Sequence, residues 1–335
     1  GQKNRLIGAT LAGTMLGLAL SLLVTTTEPS LDRLRATVAE AAEKSTGEMG
    51  VAIEHLESGQ RMDLRGDVAY PMASTFKLPL LVTLFHQVDE GKVGLDEMVS
   101  LESGDLHIGS GRLDDFAAPG ISLSIANLAA LMMRVSDNSA ADAILFRVGP
   151  ESVRERLRAL GIEGISVDRT AQRLILDSLG MPLESTAGMT RREILDFLNA
   201  YQPAPGELEA AAFAFERDLR DTATPSAMND LLRAIYSGRA ASASSTRRVT
   251  EILLACETGT DRIPGRLPDG ARTAHKTGTL GGAVSDVGVL YLPEERGHVL
   301  ISVLTRGVED RDKAESAIAE IARYAYDYFH FKTDR

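Results

Sequence analysis

Apolar residues change their spacing twice along this chain, and that change limits what it can fold into. Near the start, Val51-Ala52-Ile53 and Met62-Asp63-Leu64 read as short strands around a turn at Ser58-Gly59, which makes a hairpin. Near the end, Thr273–Thr279, Val287–Leu292 and Val299–Leu304 read as three more strands, with a turn at Leu280-Gly281-Gly282. Between these groups the apolar residues recur every three or four positions, the spacing of helices. Early and late strands enclosing a helical middle predict one sheet built from both chain ends, with an all-helical lobe inserted. A helix over Leu31–Ala41 behind the N-cap Ser30, closed by Gly47, and another from Asp312 to Phe329 would flank that sheet. The expected class is therefore α/β in the broad sense (α+β), an antiparallel sheet flanked by N- and C-terminal helices. Its sheet lobe would comprise 29–66 with 257–332 and its helical lobe 67–256, the latter carrying an enlarged loop region at 169–221. No internal repeat or low-complexity tract interrupts this plan.

Charge and cysteine usage exclude several functions. A net charge of −11 with no Lys/Arg-rich run argues against nucleic acid, because phosphate contacts need a clustered positive face. The single cysteine, Cys256, forms no internal disulfide and no C-x-x-C spacing, and it reads as a core residue. Six histidines are scattered without an H-x-x-x-H pair, so no metal and no other cofactor is expected. At the start, Lys3 and Arg5 precede an uncharged run from Leu6 to Val24. Residues 1–28 thus have the shape of a secretory signal peptide or a membrane anchor, which predicts export. Any contact with a membrane would run through this segment if it stays uncleaved.

One stretch carries chemistry. Tyr70-Pro71-Met72-Ala73-Ser74-Thr75-Phe76-Lys77 leads into Leu78-Pro79-Leu80-Leu81-Val82-Thr83-Leu84-Phe85, too apolar for a solvent-facing helix. Ser74 would stand at the N-terminal end of that buried helix, where free N–H groups and the helix dipole favour negative charge. Lys77, three residues on, lies on the same face. Pro79 is tolerated only if the helix begins close to Ser74. A lysine serves as base to a serine only when neutral, so burial or a second cation must lower its pKa. An isolated S-x-x-K is more often a helix N-cap beside a surface lysine.

Two further motifs follow in order. Ser136-Asp137-Asn138 forms a tight polar loop between two buried helices, the first read over Ile121–Arg134 and the second from Ser139 to Val148. Three polar residues there need partners, although Ser136 and Asp137 could also simply cap the second helix. Lys276-Thr277-Gly278 lies on the first of the late strands. With Ser74-Thr75-Phe76-Lys77 in front, the chain resembles the class A serine β-lactamases and the related penicillin-binding serine hydrolases over residues 30 to 330. Ala140-Ala141-Asp142 and Arg220-Asp221-Thr222-Ala223-Thr224-Pro225 add to the likeness. Only the interval from Arg169 to Asp221 is a few tens of residues too long.

The resemblance implies a β-lactamase/transpeptidase-like fold and hydrolysis of a β-lactam through an acyl-enzyme. Ser74 would be the nucleophile, Lys77 its proton partner, and Ser136 a relay to the leaving nitrogen. Lys276 would supply positive charge to the substrate carboxylate and depress the pKa of Lys77. Thr277, Gly278 and Thr279 would form the substrate edge, Asn138 would bind the substrate's side-chain amide, and the N–H groups of Ser74 and Thr279 would make the oxyanion hole. An arginine that many members carry on the next strand is replaced here by Val287, and Arg262 stands where others place a substitute. His275 alternates away from Lys276 and reads as structural. The implied partner is a small molecule, a β-lactam or a D-alanyl peptide, acted on by a monomer in the bacterial periplasm or on the outer face of the membrane.

The pattern breaks at one place. The family's R-x-E-x-x-L-N loop aligns with Arg169-Thr170-Ala171-Gln172-Arg173-Leu174-Ile175, so Ala171 replaces the glutamate that activates the deacylating water, and Ile175 replaces the asparagine. Alanine can neither accept a proton nor orient water. Glu193 repeats the R-x-E spacing within Arg191-Arg192-Glu193, but Thr190 to Glu193 is also a capping box. Glu184 and Glu207 are further candidates. Slow hydrolysis is therefore expected. The alternatives are a D-alanyl-D-alanine peptidase of the same fold and a tethered β-lactam sensor that is acylated without turnover.

Overall fold

A computed structural model describes residues 30–332. The stretch from Lys3 to Val24 lies outside the described residues, and among those described no helix is long and apolar enough to cross a membrane.

Helix α1 (Leu31–Ala42) opens at Ser30, whose hydroxyl accepts a hydrogen bond from the Arg33 N–H at 3.3 Å. Strands β1 (Glu48–His55) and β2 (Gln60–Leu64) form the early hairpin. After β3 (Tyr70–Pro71), a 3₁₀ turn over Ala73–Phe76 runs directly into α2 (Lys77–Asp89), so Pro79 falls within the first α-helical turn, where its missing N–H costs nothing. The helical middle follows: β4 (Met98–Leu101), β5 (Ile121–Ser124), α3 (Ile125–Arg134), α4 (Asn138–Val148), α5 (Pro150–Ala159), α6 (Ala171–Ser178), α7 (Leu183–Thr186), α8 (Arg191–Ala200), α9 (Glu207–Phe215), β6 (Thr222–Ala223), α10 (Pro225–Tyr236) and α11 (Ala243–Leu254). Strands β7 (Arg272–Leu280), β8 (Ala283–Tyr291) and β9 (His298–Arg306) and helix α12 (Arg311–Phe331) complete the chain.

Both chain ends build one five-stranded antiparallel sheet in the order β2-β1-β9-β8-β7, with Glu48 opposite Arg306. On one face, Leu34 and Val38 of α1 and Ile318, Ile321 and Phe329 of α12 pack against Val51, Ile301 and Val303. On the other, Val289, Leu300 and Leu304 meet Met228, Leu231 and Leu232 of α10 in a core that continues through α2, α3 and α4. Because β8 and β9 are covered on both faces, they are buried almost throughout instead of alternating.

Two local expectations are corrected. Residues 121–124 are not the first turn of a helix: they pair with β4, and Ser124 caps α3 by accepting from Asn127 N–H. The stretch beginning at Ala171 is helix α6, started by the Thr170 side chain. Around it, Ile108, Leu176, Met181 and Ile194 form a small satellite core. Buried Arg169 ties this region down, donating to Asp221 at 2.6 Å, Asp177 at 2.7 Å and Asp218 at 3.3 Å.

Candidate active site

The 3₁₀ turn sets Ser74 half-buried at the mouth of a cleft of about 300 Å³, lined also by Ala73, Phe76, Ser110, Asn138, Ala171, Ile175 and Thr279. Ala73 holds φ at +46°, a left-handed conformation that costs an alanine of order 1 kcal/mol or more and aims the next residue into the cleft. Strand β7 lies so close that a Cβ on Gly278 would meet the Met72 carbonyl oxygen at 2.5 Å and Thr75 N at 3.1 Å. Glycine in K-T-G is therefore a packing requirement. It lets the strand edge touch the backbone that presents the serine.

Lys77 lies one turn beyond Ser74 and is fully buried. Its Nζ donates to the Ser136 carbonyl oxygen at 2.7 Å and to Asn138 Oδ1 at 2.7 Å, and Ser136 Oγ is 3.2 Å away. Lys276, equally buried, donates to the same Ser136 Oγ at 3.0 Å and to the Thr277 carbonyl at 2.8 Å. Two amines thus share one hydroxyl. Burial, and then the Lys276 charge, hold the Lys77 amine well below its ordinary pKa. Burial brings Lys276 down to about 8, with Cys256 and Asp286 working against that shift. A neutral Lys77 has two N–H groups, which the two 2.7 Å bonds use, and its lone pair is left for a proton.

Three polar residues at the junction of α3 and α4 find their partners here. Ser136 holds φ at +59° and turns its hydroxyl between the lysines. Asp137 accepts from Arg112 N–H at 2.6 Å, Leu113 N–H at 2.9 Å and Ala140 N–H at 2.8 Å, so it caps α4 and pins the loop that forms the cleft's opposite lip. Asn138 donates from Nδ2 to the Ile108 carbonyl at 2.9 Å and spends its Oδ1 on Lys77, a role that sequence reasoning missed.

The remaining wall is apolar. Ala171, Leu174 and Ile175, the positions aligned with glutamate, leucine and asparagine, all line the cleft, and no lining residue carries a carboxylate. Asp142 lies behind Ala171, fully buried, and spends its oxygens on the Ala171 and Gln172 N–H groups and on His107. Glu193 is exposed at the start of α8 and closes a capping box, accepting from the Thr190 N–H at 2.7 Å. Glu184 and Glu207 are exposed as well, and Glu207 accepts from Tyr201 and Ala204. None of the three lines the cleft.

Arg262 does not line the cleft either. Its guanidinium is buried beneath β7, and its five N–H donors go to Glu315 twice and to Gly278 O, Ser285 O and Thr279 Oγ1. With no donor free for a substrate carboxylate, it braces Thr279, which does reach the cleft. Thr277 turns its hydroxyl onto Thr258 at 2.6 Å, and Val287 pairs with Lys276 and fills the core. His275 points away from Lys276 toward Asp286, as strand alternation requires. Asp286 and the close approach at Gly278 left no signal in the sequence beyond the residue types themselves.

Known proteins resemble this chain in sequence and fold. The model of a family described as the β-lactamase enzyme family matches residues 33–329. β-Lactamase VEB-1 of Pseudomonas aeruginosa is 23% identical over 309 residues, covering 89% of this chain and 91% of its own length. A solved β-lactamase from Chitinophaga pinensis superposes with a TM-score of 0.72 at 27% identity, over 88% of this chain and 98% of that one. An ancestral class A β-lactamase gives a TM-score of 0.71 at 29% identity, over 87% and 98%.

Proposed function

The chain belongs to the β-lactamase enzyme family, serine hydrolases of β-lactams, and we propose that it works through an acyl-enzyme on Ser74 that it hydrolyses slowly. The observation that carries acylation is the pair of buried amines around one hydroxyl. Neutral Lys77 takes the Ser74 proton as the serine oxygen attacks the β-lactam carbonyl carbon. The oxyanion forms against the N–H groups of Ser74 and Thr279, a contribution of about 3 kcal/mol per donor in such sites. As the ring C–N bond breaks, Ser136 gives its proton to the departing nitrogen and recovers one from Lys77, which closes the proton balance. Lys276 holds the hydroxyl of Ser136 in line and presents positive charge to the substrate carboxylate, with Thr277 and Thr279 along the strand edge. Asn138 fixes the Lys77 amine and the substrate amide side of the cleft.

Slow release follows from the opposite wall. Ala171, Leu174 and Ile175 offer no group that could take a proton from water, and Asp142 behind them is spent on backbone N–H groups. The basic and then apolar run from Lys3 to Val24 supports a place outside the cytoplasm, in the periplasm or on the outer face of the membrane. Intact mass spectrometry after mixing the protein with a penicillin tests the whole reading. A persistent adduct on Ser74 is expected. Rapid hydrolysis with no accumulating adduct overturns slow release, and neither adduct nor hydrolysis overturns the function.

A further inference from the structure

Where the family's loop carries glutamate and asparagine, α6 presents a continuous apolar face to the cleft. Ala171, Leu174 and Ile175 stand at the first, fourth and fifth positions of that helix, a spacing that puts three side chains on one side, and all three line the cleft. The charged residues of α6 are engaged elsewhere: Arg173 donates to Asp177 at 2.5 Å, and Asp177 also accepts from Arg169 at 2.7 Å. Leu280 lines the same cleft from the end of β7. Ile175 and Leu280 are only half-buried, so their apolar surface is open to whatever occupies the cleft.

Polar groups are few at this end. Asn138 gives its Oδ1 to Lys77 and one N–H of Nδ2 to the Ile108 carbonyl, which leaves one amide N–H to donate. Ser110 spends its hydroxyl proton on the Ser136 carbonyl at 2.7 Å. Among the described residues no charged side chain lines this end of the cleft. Asn138 and Ile175 are neighbours: a Cβ on Gly109, which holds φ at +101°, would lie 2.4 Å from Asn138 Nδ2 and 2.6 Å from Ile175 Cδ1. A group hydrogen-bonded to the free N–H of Asn138 therefore continues onto Ile175. One donor beside an apolar surface suits a ligand that offers a carbonyl oxygen and, next to it, an apolar substituent.

We propose that the cleft selects β-lactams whose amide side chain ends in an uncharged apolar group, and that Leu174, Ile175 and Leu280 determine this specificity. The amide carbonyl accepts from Asn138, and the aryl or alkyl group beyond it displaces water from the three apolar side chains. A carboxylate in the same place gives up its water and meets no cation in return. This names the substrate class of the acyl-enzyme reading above and rests on it.

Benzylpenicillin and carbenicillin are the probes, because they differ by one carboxylate on the carbon next to the phenyl ring; 6-aminopenicillanic acid lacks the side chain altogether. Timed intact mass spectrometry of the full chain reads the rate of adduct formation with each. Benzylpenicillin should acylate about thirtyfold faster than 6-aminopenicillanic acid, the return on burying one phenyl group, and at least about thirtyfold faster than carbenicillin. Ile175→Asn should lower the benzylpenicillin-to-carbenicillin ratio about tenfold, and Ile175→Val should keep it. Should Ile175→Asn fail to fold, Leu280→Ser reads the same ratio from the strand side. Equal rates with the two penicillins in wild type overturn the proposal, as does a ratio that neither polar variant changes. The methyl resonances of Ile175 in Ser74→Ala, which cannot be acylated, separate this proposal from the reading it rests on. They should move with benzylpenicillin at a roughly thirtyfold lower concentration than with carbenicillin. A wild-type protein that is never acylated while this preference holds sinks the acyl-enzyme and leaves the apolar specificity standing. Acylation at equal rates by both penicillins does the reverse, and neither acylation nor preference overturns both.

Discussion

Replacing Lys276 by methionine removes one of two charges that share a single hydroxyl, and its effect on Lys77 follows from the geometry. The Lys77 and Lys276 nitrogens lie 3.2 and 3.0 Å from Ser136 Oγ. Those lengths cap their separation at about 6.2 Å, where two unit charges in an effective dielectric of about 20 repel by at least roughly 2.7 kcal/mol. At about 1.4 kcal/mol per pKa unit, losing that repulsion should raise the Lys77 pKa by about 2 units. Lys276 itself sits near 8, so at pH 7 most molecules carry its charge and the full effect is felt. Because only neutral Lys77 can take the Ser74 proton, the acidic limb of the acylation rate should move up by about 2 pH units in Lys276→Met and stay near its original place in Lys276→Arg. Stopped-flow acylation by a chromogenic penicillin, from pH 5 to 9, reads both limbs. An acidic limb that stays put in Lys276→Met while the rate drops evenly at every pH would refute the shared-hydroxyl argument and leave Lys276 as a substrate anchor only.

Other outcomes follow from the same site. Gly278→Ala places a methyl group 2.5 Å from the Met72 carbonyl oxygen and should cost about 1–3 kcal/mol in urea unfolding together with most of the acylation rate; full stability would show that the strand and the serine turn are not tightly opposed. Ala171→Glu puts a carboxylate in the cleft wall and should shorten the life of the Ser74 adduct by about 10²-fold or more, whereas an unchanged lifetime counts against the loop alignment. Glu193→Gln should leave that lifetime unchanged, since its carboxylate serves α8. His275, raised to about 10, adds stability that is complete below its unfolded value of 6.5 and disappears as pH climbs through about 10. The urea midpoints of wild type and His275→Gln should therefore converge between pH 7 and 10, and a constant gap would argue against a charged imidazole.

Legibility in the sequence tracked the range of the forces involved. The hairpin at Ser58-Gly59 and the long helices were visible because their periodicity is local, and the three motifs were visible because their chemistry demands particular residue types. The β4–β5 ribbon was missed, since Met98–Leu101 and Ile121–Ser124 acquire their structure only by pairing with each other. Thr190 and Glu193 announced a capping box and formed one. Arg262 misled because an arginine's role depends on which acceptors surround it, and burial beside Glu315 and two backbone carbonyls is settled far along the chain. Asn138 was legible as polar and necessary, but its bond to Lys77 required α2 and α4 to be packed side by side. The His275–Asp286 pair joins two neighbouring strands, and neither residue type alone announces it.

Pairing Glu48 with Arg306 has a cost in time as well as a place in the sheet. During synthesis β1 and β2 emerge before the helical middle, yet β9, the strand that covers their open edge, leaves the ribosome only after it. Until then the hairpin stays unpartnered, and the Ser74 turn lacks the β7 backbone that presses against it at Gly278. Completion of the Ser74 turn in a nascent chain of this topology therefore waits on β7, which arrives only after the whole helical middle has been made.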